Sequence, residues 1–239
     1  MRLYGRRSVL ERIKTNPQSI RKIYLQQNSS SPQTLNLLRK NCAHIESISA
    51  EHFTKLSRQI PSQGIIAEVN EFRYCDFDEI TSLEDKNKPT LVFLDRINDP
   101  QNLGSILRTC SGFGNFCVVL PKHESVDITE AVLRVACGGE NYTPVCRVTN
   151  LSNAVLKAKE EGYWIGATVV EGGQNLGEAK FNFPLGLLFG SEGQGVRPGL
   201  LKHIDYELSL PMSVAEFSFN VAVAVGIFCY EVNRQKMGT

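Results

Sequence analysis

Apolar residues recur along this chain with two different periods, and the change of period divides it. Val9, Leu10 and Ile13, following Ser8, carry the spacing of a short helix, and Ile23-Tyr24-Leu25 reads as a strand. Helices at 34–40 and 51–56, with strands near 45–48 and 65–69, continue the alternation, so residues 1–72 are expected to form a compact α/β unit. The stretch EFRYCDFDEITSLEDKNKP, 71–89, loses the period and turns polar before closing on Pro89, and 73–89 is read as a linker. From residue 90 to 239 the pattern resumes. Apolar runs at 91–94, 116–120, 145–148, 163–170 and 185–189 alternate with helical patterns at 101–113, 129–137 and 151–161, the order of a parallel sheet covered by helices.

Within NLGSILRTC, Leu103, Ile106, Leu107, Cys110 and Phe113 form the buried stripe of a helix. Gly104, Ser105 and Arg108 then share another face, where two small residues are expected to leave room for a ligand beside the guanidinium. Asn102, at the helix start, is free to cap the helix or to touch that ligand. Arg108 suits an anion, a phosphate above all; an arginine on a solvated helix is the other reading. In LGLLFGSEGQGV, 185–196, an apolar strand runs into Gly190, Gly193 and Gly195, a loop where backbone can approach a ligand closely. The order G-x-x-G-x-G late in the chain departs from the dinucleotide fingerprint, which disfavours an ordinary Rossmann site. Glu192 in this loop can bond a ribose hydroxyl or a helix terminus, or stand as a surface residue of a plain turn. Finally, LSLPMSVAEFSFNVAVAVGIFCYE, 208–231, has Ser218 as the expected N-cap of a helix apolar on every side as far as Glu231. Such a helix has to be enclosed, and Ala222, Ala224 and Gly226 allow a second subunit to approach. Asn220, polar at its start, needs a partner.

Charge sharpens the division. Residues 1–72 carry 11 Lys and Arg against 5 Asp and Glu, whereas 73–239 carry 15 against 20. The first part is suited to docking on a polyanion, although a basic solvated face fits too. The seven cysteines are odd in number and show no C-x-x-C or His-paired spacing, so reduced core thiols without metal are expected. The amino terminus has no secretory pattern, and the longest apolar run, Val221–Tyr230, is too short to span a bilayer, which points to a cytoplasmic protein with no membrane partner. None of His44, His52, His123 and His203 falls in the three stretches, and neither G-x-S-x-G nor H-E-x-x-H occurs, so hydrolase chemistry has little support.

Together the stretches resemble the three motifs of the SpoU/TrmH family of RNA ribose 2′-O-methyltransferases in the SPOUT superfamily. The match is N-x-G-x-x-x-R at Asn102, Gly104 and Arg108, F-G-x-E-G-x-G at Phe189 to Gly195, and L-P-M…S-F-N at Leu210 to Asn220. LYGRRSVLERI and SQGIIAEV resemble the amino-terminal L30e-like RNA-binding domain of the branch that methylates a 23S ribosomal RNA guanosine in the peptidyl-transferase P loop. The resemblance implies an α/β protein with an L30e-like first domain and a parallel-sheet domain tied at its carboxyl end in a trefoil knot. It implies S-adenosylmethionine bound at Gly190, Leu210, Met212 and Phe219, and a catalytic set of Arg108, Asn102, Glu192, Ser218 and Asn220. RNA and a second copy of the chain, packed through the knot and last helix, are the implied partners. Two other readings stay open, a transfer RNA guanosine methyltransferase and a non-catalytic RNA-binding assembly factor. Val214, where the family has glycine, and the bulky Glu216-Phe217 depart from the family pattern beside the expected pocket.

Overall fold

A computed structural model describes residues 1–29, 32–41, 44–213 and 218–238, with the side chains of 32 and 33 left aside. Val214, Glu216 and Phe217 therefore lie outside the described residues, as does Cys42.

The first unit is a four-stranded sheet in the order β1-β4-β2-β3. Its strands are β1 (Arg2–Tyr4), β2 (Ile20–Gln26), β3 (Ile45–Ile48) and β4 (Ile65–Val69), with helices α1 (Arg6–Thr15), α2 (Pro32–Asn41) and α3 (Ala50–Ser57) between them. Only β2 and β3 run parallel. β1, three residues long, has too few positions to show a period and is not visible in the sequence pattern.

The expected linker is not featureless. Asp76 accepts hydrogen bonds from Asp78 and Glu79 and caps a short helix, α4 (Phe77–Thr81), whose Phe77 is buried. The backbone at Cys75 forms a single parallel β-bridge with that at Cys146, its amide donating to the Val145 carbonyl at 2.8 Å, alongside the second sheet. The polar composition of 71–89 reflects a thin element lying on the second unit with one side inward, which leaves few apolar positions to mark it.

The second unit is a seven-stranded parallel sheet in the order β7-β6-β5-β10-β8-β11-β9. The strands are β5 (Thr90–Leu94), β6 (Phe116–Pro121), β7 (Val145–Val148), β8 (Trp164–Thr168), β9 (Gln174–Asn175), β10 (Leu185–Phe189) and β11 (Tyr206–Ser209). Every residue of β5, β6 and β10 is buried, as expected of central parallel strands. Val92 and Leu94 face a core that includes α5 (Pro100–Phe113), α6 (Glu130–Ala136) and α9 (Val221–Met237). Leu91 and Phe93 face the opposite core with α4, α7 (Leu151–Glu160) and α8 (Pro198–Leu201). The first core is continuous with that of the first unit. Polar contacts cross the junction as well: Glu130 accepts from the Arg2 amide (2.7 Å) and the Tyr4 hydroxyl (3.4 Å), and Arg12 pairs with Glu140 at 3.3 Å.

Cys110, Cys117, Cys146 and Cys229 are buried free thiols. Bonding to Cys229 and burial push the Cys110 thiol well up, and Cys146 and burial do the same for Cys117, so both stay protonated and inert. Cys75 is exposed, a departure from the expected core role. No described helix is long and apolar enough to cross a membrane.

Candidate active site

β10 lies next to β5 although far from it in sequence, so the loop that follows β10 emerges beside the start of α5 at the carboxyl end of the sheet. That edge is where open α/β sheets place their ligands. Asp99 caps α5, accepting from the Gln101 amide, with Pro100 at the first helical position. Asn102 is thereby freed from capping and its side chain reaches across the loop.

There Asn102 Nδ2 donates to Glu192 Oε1 at 3.3 Å, and Asn220 Nδ2 donates to Glu192 Oε1 at 2.7 Å and to Asn102 Oδ1 at 2.9 Å. Asn220 Oδ1 accepts from the Ala222 amide, which makes Asn220 the N-cap of α9. The expectation that Ser218 caps this helix is thus corrected: the cap sits two residues later, because Asn220 can hold the helix end and the carboxylate with the two ends of one amide. Ser218 lines the neighbouring cavity instead.

That cavity measures about 480 Å³ and is walled by the loop 189–196 and by Leu208, Leu210, Met212, Phe219 and Phe228. Mostly apolar walls with a few polar side chains, Thr168, Ser191, Glu192 and Ser218 among them, suit a cofactor of adenosyl size. The loop's tightness comes from its glycines. A Cβ on Gly190 would collide with the Gly195 carbonyl and the Val196 amide, and Gly193 and Gly195 adopt φ of 82° and 65°. The bare backbone of the loop forms one side of the cavity.

Arg108 stands apart from this cluster. Six residues beyond Asn102, it is about 9 Å further along the helix axis. Its guanidinium is exposed, with Nη1 3.9 Å from Cys137 Sγ and no acidic partner among the described residues. It does not line the cavity. The space expected beside it at Gly104 does not exist either. A Cβ there would lie 2.5 Å from the Val135 Cβ and 2.8 Å from the Val132 carbonyl, so Gly104 is small because α6 packs on it. The open ground on this face belongs to Ser105 and Gly112.

Three residues outside the motifs hold the loop. Asp95, fully buried just beyond β5, accepts from the Arg197 amide at 3.0 Å and pairs with its guanidinium at 2.6 Å. Arg96 donates to the Gly195 carbonyl at 3.0 Å and to Gln194. A charged pair directly after an all-apolar strand is the signal that marks them, since a buried carboxylate at that edge needs a partner.

Residues 89–230 match the SpoU rRNA Methylase family, and residues 2–75 match the RNA 2′-O ribose methyltransferase substrate-binding family. The chain belongs to the SpoU rRNA methylase family. As such it is an RNA 2′-O-methyltransferase. It is similar to the 23S rRNA (guanosine-2′-O-)-methyltransferase RlmB of Coxiella burnetii, 35% identical over 98% of this chain and 95% of that one. The protein of the same description from Pectobacterium atrosepticum is 32% identical over 99% and 98%. The fold is shared with the SpoU methyltransferase AviRb of Streptomyces viridochromogenes, solved in complex with AdoMet. There the identity is 24%, the TM-score 0.82, and the match covers 99% of this chain and 90% of that one.

Proposed function

We propose that this protein methylates the 2′-hydroxyl of a guanosine in 23S ribosomal RNA, in the cytoplasm and as a homodimer. The observation that carries this reading is the meeting of Asn102, Glu192 and Asn220, from three distant segments, at an apolar cavity walled by a glycine loop. The curated relatives named above act on that class of nucleoside, and the basic residues 1–72 suit recognition of RNA shape and phosphate.

In this reading Gly190, Leu210, Met212 and Phe219 hold S-adenosylmethionine. When bound, the cofactor would supply an electrophilic methyl group to the attacking hydroxyl. The protein's task is to align that hydroxyl and accommodate charge as its proton leaves. Asn102 and Asn220 fix Glu192 from two sides, so its carboxylate meets the ribose in one orientation, with Ser218 beside it. Arg108 grips a phosphate of the same strand through its fork of donors and steadies the developing alkoxide; a guanidinium does not give up its proton and is no base. The distance of Arg108 from the triad is compatible with holding a neighbouring part of the nucleotide.

The dimer reading rests on α9. Val225, Phe228 and Val232 are buried, whereas Val223 and Tyr230 are 50% and 60% exposed and Met237 is exposed too. An apolar stripe along the outside of an otherwise apolar helix is the kind of face a second copy covers. The same reading includes a trefoil knot at the carboxyl end of the sheet, as membership of the SpoU family implies. Incubation with labelled S-adenosylmethionine and 23S RNA tests the proposal: label is expected in 2′-O-methylguanosine, and label confined to a base would overturn it.

A further inference from the structure

A second cavity, of about 500 Å³, lies between the two units, far from the glycine loop in the chain. Its floor is the Arg12–Glu140 pair, whose side chains are only 10% and 0% exposed. Its rim carries Tyr142, 51% exposed, whose hydroxyl donates to Glu11 Oε2 of α1 at 2.6 Å. An aromatic ring so tethered at its tip is held in place while its face stays open. Around it stand Asn16, Gln18 and Arg73, none of which has a side-chain partner among the described residues, together with half-buried Phe72. The cleft thus combines a fixed aromatic surface, unengaged amides and an unpaired guanidinium, the set that binds an unstacked nucleotide of single-stranded RNA.

The cleft also lies next to the helix that bears Arg108. The turn 137–142 runs between α1 and α5: a Cβ on Gly138 would press on Glu11, and one on Gly139 would press on the Arg108 backbone at 2.9 Å. Tyr142 is the last residue of that turn. A strand seated on Tyr142 is therefore one short turn of chain away from Arg108.

We infer that the cleft between the two units is a binding site for a single-stranded nucleotide of the substrate RNA. Its base stacks on Tyr142, Asn16 and Gln18 contact its polar edge, and Arg73 pairs with its phosphate. This rests on the proposed RNA methylation but assigns a contact separate from the methyl-transfer cluster.

The test is fluorescence anisotropy of the full chain with an unstructured RNA of about eight nucleotides and a duplex of equal length. The parent is expected to prefer the single strand. Tyr142→Ala should weaken it about tenfold or more, the loss of one base–aromatic stack, while Tyr142→Phe keeps the ring and stays within about twofold. Arg73→Ala should lower the slope of log affinity against log salt by about 0.7. S-adenosylmethionine binding by calorimetry should be unchanged in all three, which shows that they fold. Equal binding of duplex, no binding of the single strand by the parent, or parental affinity and salt slope in the Ala variants overturns the inference. If the parent methylates ribosomal RNA while those variants bind as it does, only the cleft assignment falls. If the parent methylates no RNA, the functional reading falls with it.

Discussion

Replacing Gly190 by alanine probes the glycine loop at its tightest point. The added Cβ would lie inside 3.0 Å of the Gly195 carbonyl carbon and oxygen and of the Val196 nitrogen. All three are backbone atoms, so no side chain can rotate away. Arg96 and the Asp95–Arg197 pair, moreover, pin the far side of the loop. Relief requires the loop to move by about 1 Å, and a misplacement of that size at a site costs about 100-fold in rate. The strain itself costs about 1–3 kcal/mol, or roughly 2–12 °C in melting temperature for a chain of this size. Gly199→Ala is the control, since a Cβ there meets nothing within 4 Å. Calorimetric titration of both variants with S-adenosylmethionine, beside thermal melts, is the assay. Cofactor affinity should fall steeply for Gly190→Ala and hold for Gly199→Ala. Parental affinity in Gly190→Ala would refute the claim that this loop forms the cofactor wall.

Further outcomes follow from the same geometry. Arg108→Lys keeps the charge but loses the two-pronged donor, so single-turnover methylation should slow about 100-fold, and a near-parental rate would contradict phosphate gripping by Arg108. Asn220→Ala removes the cap of α9 and one support of Glu192; a loss of about 0.5–2 kcal/mol in denaturant unfolding should accompany the loss of activity. Asn220→Asp keeps a cap but sets a second carboxylate 2.7 Å from Glu192 Oε1, so its melting temperature should recover towards the parent's as the pH is lowered through the carboxylate range. Burial, opposed by Arg12, holds the Glu140 carboxyl above its ordinary 4.5. A carboxyl raised in the folded state stabilises below its unfolded value and loses that contribution as pH rises through the raised one. Melts across this window should slope downward for the parent and flatten for Glu140→Gln.

The sequence was most readable where burial is one-sided or complete. The stripe Leu103, Ile106, Leu107 and Cys110 is buried as its spacing implies, and β5, β6 and β10 announce themselves as unbroken apolar runs because both faces of the sheet are covered. It was least readable where an element is thin or a small residue has two meanings. β1 and β9 are too short to show a period, and α4 hides in a polar stretch with Phe77 as one of its few inward residues. At Gly104 a glycine on a helix is compatible with either open space or close approach, and only the position of α6 decides for the second. The three motifs brought Asn102, Glu192 and Asn220 together as residue types. Their mutual hydrogen bonds depend on β10 lying beside β5, a pairing that no local pattern encodes. Asp95 and Arg96 stand out as charges directly after an apolar strand, but that Arg197 is the partner of Asp95 appears only in the fold.

The most direct measurement is nucleoside mass spectrometry of 23S RNA after reaction with methyl-labelled S-adenosylmethionine, for the parent chain and for Glu192→Gln. The account expects label in a single 2′-O-methylated ribose with the parent and a loss of most of it when the carboxylate held by Asn102 and Asn220 is neutralised. Undiminished ribose methylation by Glu192→Gln, or label carried on a base, would contradict it.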